Sequence, residues 1–147
     1  SAEACYSYLE RLRSNFIEPY YKIPILADYS DISVLRYEAG GIFLTHCDSE
    51  KLAFEDGKKT WVKWIERDVS ILIYLSDERS FKGGQLTFPN QNITIRPKQG
   101  MAIMFPSDHR FPHCAELVEQ GRRYAIVGWL KHHGAAAVGC RNQAILW

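Results

Sequence analysis

The sequence lacks the marks of a secreted or membrane-spanning protein. Its four cysteines, Cys5, Cys47, Cys114 and Cys140, are widely separated, so they form neither a CxxC zinc-binding pair nor an evident disulfide framework. No apolar run approaches the ~18 residues of a membrane span. The first residues also lack the charged and apolar regions of a signal peptide. We therefore expect reduced thiols and a cytoplasmic location, with no membrane partner.

The chain also has no excess of charge of either sign. Lys and Arg number 18 against 17 Asp and Glu, which gives a formal net charge of +1. This balance offers no electrostatic reason for nucleic acid to be the main partner. At 147 residues, 46% of them hydrophobic, the chain has the size of one domain and can bury a core without a disulfide or metal. We expect a single domain over residues 1–147.

The hydrophobic pattern predicts one helix near the start of the chain. Apolar side chains recur at helical spacing at Tyr6, Leu9, Leu12 and Phe16. This spacing predicts an amphipathic helix over about residues 4–16, which the prolines at positions 19 and 24 would end.

From about residue 32 to residue 130 the pattern changes to short runs of β-branched and aromatic residues, separated by Gly, Pro and Asn. These runs predict strands over residues 32–37, 42–46, 69–75, 85–88, 93–96, 101–105 and 123–130. No helices alternate with them, which favours a sandwich, jelly roll or barrel over a parallel α/β sheet. Residues 49–67 form one long connection, of the kind that serves as a lid or binding loop or else lacks order.

A possible metal site begins with His46 and Asp48. Residues two apart on a strand lie on one face. An imidazole and a carboxylate side by side are two of the three ligands of a non-haem Fe(II) site. The third ligand would be a second histidine far away in the sequence, and His109 and His113 are the two candidates.

Arg123 supplies a further clue, ten residues after His113. Under strand alternation it shares a face with Ala125, Val127 and Trp129. A guanidinium on an otherwise apolar face is unfavourable unless it meets an anion, and its planar fork suits a carboxylate. Metal ligands together with a carboxylate clamp indicate a co-substrate that bridges them.

Four segments between Arg36 and Trp129 together resemble the Fe(II)/2-oxoglutarate-dependent dioxygenases, and within them the prolyl 4-hydroxylase-like group. In chain order they are RYEAGGIFLTHCD, SILIYLSDERSFKGGQLTFP, GMAIMFPSDHRFPHC and GRRYAIVGW. The resemblance implies a mainly β fold with an N-terminal helix, namely a double-stranded β-helix or jelly roll. It also implies Fe(II), 2-oxoglutarate and O2, and hydroxylation of a C–H bond with release of succinate and CO2. The implied substrate is a prolyl or similar residue in a peptide or protein, or free proline.

The resemblance also assigns roles to individual residues. The implied iron ligands are His46, Asp48 and His113. Arg123 would hold the far carboxylate of 2-oxoglutarate, with Arg122 as its rival because the spacing from the second histidine varies in the family. The other residues implied to surround the co-substrate are Tyr74, Tyr37, Leu72 and Trp129. The connection over residues 49–67 would form a mobile lid.

Other functions remain open at this stage. The chain could be a jelly-roll binding module without catalytic activity. It could also be a cupin-type metal protein that uses no 2-oxoglutarate, although such sites usually draw on three or more histidines and a glutamate. Repair of nucleic-acid bases is a more distant alternative, because the segments lack the Asn-x-Thr and paired-Arg ending of the demethylases.

Overall fold

We describe the protein from a computed structural model, over residues 2–22, 25–26, 32–132 and 145–146. The chain begins with helix α1 (Ala2–Leu12), which continues through a π-helical turn (Arg13–Ile17) into the short helix α2 (Glu18–Tyr21). The predicted helix is thus present but longer, and Pro19 does not end it. Pro19 lies in the first turn of α2, directly after the π-helical turn, so the helical segment changes its hydrogen-bond pattern beside this proline and continues. Position 24 lies outside the described residues.

The remaining described elements are almost all strands. They are β1 (Ile25–Leu26), β2 (Ser33–Glu38), β3 (Phe43–His46), β4 (Glu50–Glu55), β5 (Lys58–Lys63), β6 (Val69–Tyr74), β7 (Phe81–Gly83), β8 (Leu86–Phe88), β9 (Ile93–Ile95), β10 (Ala102–Pro106), β11 (His113–Ala115), β12 (Val118–His132) and β13 (Ile145–Leu146). A 3-10 turn (Pro89–Gln91) joins β8 to β9. None of the described helices has the length or apolar character to span a bilayer.

The strands form two antiparallel sheets and a separate hairpin. The larger sheet has the order β1-β12-β6-β10-β13, with β2 and β7 also paired to β12. The smaller sheet has the order β3-β11-β8-β9. Two sheets of this kind that enclose a shared core, with helices against the outer side of one of them, form the predicted jelly roll.

The larger sheet buries both of its faces, as β6 illustrates. All six residues of this strand are buried. Val69, Ile71 and Ile73 belong to the core that the sheet forms with Leu9 and the rest of the helical segment. The alternate residues Leu72 and Tyr74 belong to a second core, shared with the smaller sheet. The same strands therefore hold the helices on one side and build an interior on the other.

The seven strands predicted from sequence are all present. Six of them begin and end within one residue of the predicted bounds, whereas β12 (Val118–His132) is longer than the predicted strand over residues 123–130. The connection over residues 49–67 was wrongly predicted to be irregular, because β4 and β5 form a hairpin there. Its turn contains Asp56 and Gly57, both with positive φ, which is the usual chemistry of a two-residue hairpin turn. The many Lys and Glu residues of this segment conceal its strand pattern, since both of its faces lie largely at the surface.

Leu9 tests whether α1 is part of the folded core. Its side chain is 1% exposed and packs on the larger sheet. We expect Leu9→Ala to lower the free energy of unfolding by about 2–5 kcal/mol, because it leaves a cavity in a packed core. The exposed Ser7→Ala, in the same helix, should change it by less than about 0.5 kcal/mol. Urea denaturation of the two variants makes the comparison, and equal small effects would contradict this packing of α1.

Candidate metal centre and its pocket

Pairing of β3 with β11 brings the three predicted metal ligands together. His46 lies opposite His113 in the antiparallel register, and Asp48 follows directly after β3. One nitrogen or oxygen from each residue lies within 4.8 Å of the other two. Nε2 of His46 is 3.2 Å from Oδ1 of Asp48, and Nε2 of His113 is 3.7 Å from Oδ2 of the same carboxylate. The arrangement offers two nitrogens and one oxygen to a single ion.

Backbone carbonyls set the orientation of both imidazole rings. Nδ1 of His46 is 2.8 Å from the oxygen of Leu44, and Nδ1 of His113 is 3.1 Å from that of Phe111. A carbonyl oxygen only accepts, so each Nδ1 carries the hydrogen and donates it. In the neutral form of each ring, Nε2 then keeps its lone pair, which is the state that a metal ligand requires.

The charges of these side chains also suit metal binding. Burial alone would raise the pKa of Asp48, but the hydrogen bond with His46, the charge of His113 and the hydroxyl of Ser70 lower it to about 2. Burial lowers the pKa of His113, which favours its neutral form. For His46, burial alone would lower the pKa, but the hydrogen bond with Asp48 outweighs burial, so the pKa is raised. Near neutral pH the cluster therefore contains a carboxylate anion and a neutral buried imidazole.

A cavity of about 290 Å³ opens beside the three residues, between the two sheets. Its lining is mostly apolar, and several of its residues lie on the inner face of β12. The lining consists of Leu35, Tyr37, Phe43, His46, Cys47, Asp48, Trp64, Arg67, Leu72, Leu86, His113, Ala115, Arg123, Ala125, Val127 and Trp129.

Arg123 places a buried positive charge on the wall of this cavity. It is 2% exposed, and its guanidinium carbon lies 4.4 Å from the ring centre of Tyr37 and 5.3 Å from that of Tyr74. Its Nε and Nη1 are buried, and neither has a hydrogen-bond partner in the part of the chain that the structure describes. Gly84 makes room for this side chain, since a Cβ there would lie 3.3 Å from Nε. A buried cation in this position calls for an anion within the cavity.

Comparison with known proteins agrees with this geometry. A sequence profile of the 2OG-Fe(II) oxygenase superfamily matches residues 32–131. The chain therefore belongs to this superfamily. Among its relatives is a PKHD-type hydroxylase of Synechococcus sp. (strain CC9902), 35% identical over 104 residues, which cover 69% of this chain and 41% of the relative. The chain spans about two-fifths of the length of the curated relatives it matches first.

Solved structures share the fold. The viral collagen prolyl hydroxylase from Paramecium Bursaria Chlorella virus-1, in its 2OG complex, superposes with a TM-score of 0.63 at 19% identity, over 86% of this chain and 72% of that one. A prolyl hydroxylase from Trichoplax adhaerens, in complex with a hypoxia inducible factor peptide fragment, gives 0.62 at 25% identity, over 86% and 56%. These likenesses confirm the jelly roll.

The residues of the cluster and its cavity fit the cofactors of the superfamily. Two histidine nitrogens and one carboxylate oxygen, beside an open cavity, are the donor set of non-haem Fe(II) oxygenases. 2-Oxoglutarate is a small dicarboxylate, and Arg123 is a buried cation on the wall of the same cavity. The His-Asp-His donor set thus fits Fe(II), and the buried guanidinium, which has no anionic partner among the described residues, fits a carboxylate of 2-oxoglutarate.

The structure separates the two candidate arginines. Arg122 points outward, with a side chain that is 58% exposed and an Nε 3.2 Å from Oε1 of Glu38. Arg123, the next residue along β12, lies on the cavity side, in agreement with the predicted strand alternation. Tyr37, Leu72 and Trp129 line the cavity as well.

Tyr74 occupies a different position from these lining residues. It is fully buried and lies beside Arg123, but it does not line the cavity. Burial raises the pKa of its hydroxyl to about 12, with the positive charge of Arg123 acting in the opposite direction. The hydroxyl therefore stays protonated at neutral pH, so it remains available as a hydrogen-bond donor.

His109, the other candidate ligand, lies outside the cluster. Its Nδ1 is 2.6 Å from Oε2 of Glu50, and the same oxygen accepts a bond from its backbone N–H at 2.8 Å. Its ring stacks on Trp61 at 5.7 Å. His109 therefore attaches the β4–β5 hairpin to the segment before β11 and takes no part in the metal cluster.

The sequence analysis missed Arg67. Its guanidinium carbon lies 3.4 Å from the ring centre of Trp129, and its Nη1 donates to the backbone oxygen of Asp48 at 3.5 Å. It also lines the cavity. No local pattern identifies it, because the contact with Trp129 joins residues that are far apart in the sequence.

Removal of the buried imidazole tests the metal centre. We expect His113→Ala to weaken Fe(II) binding by more than about 100-fold, since loss of even an outer partner of a ligand commonly costs ~10–100-fold. His109→Ala should bind Fe(II) as the unaltered protein does, because its ring faces Glu50. Anaerobic calorimetric titration measures both, and a reversed order of the two effects would place the metal at His109.

Proposed function

We propose that this protein is an Fe(II)- and 2-oxoglutarate-dependent dioxygenase that hydroxylates a C–H bond of a prolyl or similar residue, with release of succinate and CO2. In this proposal His46, Asp48 and His113 hold the iron, and Arg123 binds the far carboxylate of 2-oxoglutarate. One observation carries it: a buried guanidinium without a described anionic partner shares a cavity with the His-Asp-His cluster.

Each side chain of the cavity has a defined task in this reaction. When bound, the iron activates O2 and binds the keto-acid end of the co-substrate. Arg123 neutralises the other carboxylate, because its fork can donate two parallel hydrogen bonds. The rings of Tyr37 and Tyr74 flank the guanidinium and limit its motion. Leu72, with its apolar neighbours on β12, excludes water from the co-substrate.

A second, wider cavity supports a peptide as the substrate. It has a volume of about 600 Å³ and shares Phe43, His46, Cys47 and Trp64 with the first cavity. Its other wall is the β4–β5 hairpin, through residues such as Trp61. An open groove with aromatic walls beside the metal suits an extended chain better than free proline. A peptide-bound prolyl hydroxylase among the structural relatives supports the same class.

The hairpin is the element that was expected to be a lid. In the structure it forms a wall of the groove, closed at its base by a hydrogen bond from the backbone N–H of Trp64 to the oxygen of Ser49 at 3.0 Å. We propose that it contacts the substrate on either side of the target residue. The cytoplasmic location stays a prediction, consistent with the free thiols of Cys5, Cys47 and Cys114.

The two arginines of β12 provide a matched test of the co-substrate site. We expect Arg123→Ala to weaken 2-oxoglutarate binding by about 30-fold or more, because truncating one partner of a buried charge pair costs about 2–5 kcal/mol. Arg122→Ala should leave that affinity unchanged, since its side chain faces Glu38 at the surface. Calorimetry on Mn(II)-loaded protein measures both affinities. An equal loss in the two variants would remove Arg123 from this role.

An anaerobic spectroscopic titration tests the function itself. Addition of Fe(II) and then 2-oxoglutarate should produce a visible charge-transfer band that neither gives alone, because the keto acid chelates the iron. The band should be lost in His113→Ala and retained in His109→Ala. On admission of O2, proline-containing peptides should accelerate the formation of succinate. A folded, metal-loaded protein without the band would instead favour the binding module or the cupin-type metal protein.

A further inference from the structure

Three buried serines lie around Asp48, on the side away from solvent. Ser49, Ser70 and Ser107 are between 0% and 2% exposed. Oγ of Ser70 is 2.6 Å from Oδ2 of Asp48 and 2.8 Å from Oγ of Ser107. The hydroxyl of Ser49 donates to the backbone oxygen of Ser107 at 3.0 Å. This set of residues, termed here the serine network, has no part in the function as proposed so far.

We propose that Ser70 is a positioning residue for the metal centre, which holds Oδ2 of Asp48 so that the carboxylate presents Oδ1 to the ion. The inference rests on the proposed function, because it requires a metal at His46, Asp48 and His113. It adds to that function the residue that fixes how the carboxylate binds the ion.

Simple hydrogen-bond chemistry sets the direction of this network. A carboxylate accepts and does not donate, so the hydroxyl hydrogen of Ser70 points to Oδ2 of Asp48. Ser70 has then used its only hydrogen, so the bond between the two serines is donated by Ser107. The network therefore runs in one direction, from Ser107 to Ser70 to Asp48, and each bond polarises the next.

The two oxygens of Asp48 consequently differ. Each oxygen lies near one proposed metal ligand, Oδ1 at 3.2 Å from Nε2 of His46 and Oδ2 at 3.7 Å from Nε2 of His113, but only Oδ2 accepts the short charge-assisted bond from Ser70. Binding through Oδ1 alone lets three residues fill three coordination positions of an octahedral ion. Three positions then stay open, which is the number that a chelating keto acid and O2 need together.

The position of Ser70 in the sequence agrees with this role. It is the only small polar residue of β6, whose other members are aliphatic apart from Tyr74, and it is fully buried. A buried hydroxyl in an apolar strand is unfavourable unless it is hydrogen-bonded, so a purely structural strand has no need of it. Its alternation with Leu72 and Tyr74 places it on the face that builds the metal pocket.

Two alanine variants separate a positioning role from a structural one. Ser70→Ala and Ser107→Ala both break the hydrogen bond between the two serines, so both should lower stability, and Ser70→Ala by more because it loses a second hydrogen bond. Only Ser70→Ala removes the donor to Asp48. We expect Ser70→Ala to weaken Mn(II) binding by ~10–100-fold, as loss of an outer partner commonly does. We expect Ser107→Ala to stay close to the unaltered protein, and Ser70→Thr, which keeps the hydroxyl, to restore the affinity.

Titration of Mn(II), followed by the loss of the free-ion electron paramagnetic resonance signal, measures these affinities without turnover. The absorption spectrum of bound Co(II) gives a second readout, which should change in Ser70→Ala because a carboxylate released from Ser70 can bind through both oxygens. Urea denaturation controls for stability. Should Ser70→Ala fail to fold, Ser70→Cys replaces it, and its weaker donor should still lower the affinity.

The outcomes distinguish this inference from the function on which it rests. Unaltered affinity and an unaltered Co(II) spectrum in Ser70→Ala would overturn the role of Ser70 and leave the metal centre intact. Equal losses of affinity in Ser70→Ala and Ser107→Ala would also overturn it, since they would reflect general loosening of the strand. If the unaltered protein bound no Mn(II), the inference and the proposed function would both fail.

Discussion

The burial of a positive charge by strand β12 is the constraint on which the rest of the site depends. Arg123 is 2% exposed, and its position is defined by the rings of Tyr37 and Tyr74 and by the absence of a side chain at Gly84. A guanidinium held away from water is unfavourable until an anion joins it. Binding of a carboxylate in the cavity would therefore neutralise this buried charge as well as form a new contact. Under the proposed function, affinity for the co-substrate and the architecture of the jelly roll would have the same physical origin.

Strand alternation connects this site to the stability of the fold. Ile126 and Leu130 of β12 face the helices, whereas Arg123, Ala125 and Val127 face the cavity. The two histidines of the proposed metal centre lie on the smaller sheet, where the register of β3 with β11 sets His46 opposite His113. A slip of one residue in either pairing would turn every one of these side chains to the wrong face. The packing of α1 on the outer face thus helps to maintain the register that the cavity needs.

Most of the fold and the centre of the site could be predicted from sequence because their signals are local. Alternation along residues 123–130 places Arg123 on one face with Ala125 and Val127, although Arg122 stayed open as its rival until the structure separated the two, and a two-residue spacing joins His46 to Asp48. What sequence could not supply are contacts between distant segments, such as Arg67 on Trp129, or His109 with Glu50. Those contacts can be recognised only once the position of the hairpin in the fold is known. The hairpin itself was missed for a related reason, since strands with little burial carry little periodicity.

The two halves of the site differ in the way they are built, which explains why its chemistry is easier to assign than its substrate. The metal and co-substrate half lies between two sheets, with buried side chains that are fixed by register. The groove half is formed by β4, β5 and the exposed part of β3, where Phe43, Leu52 and Trp61 remain 43–49% exposed. Substitutions there change the shape of the groove at little cost to the core, because few buried contacts depend on them. Under the proposed function, one scaffold could therefore keep its oxidation chemistry while changes in the hairpin alter the peptide that it presents to the metal.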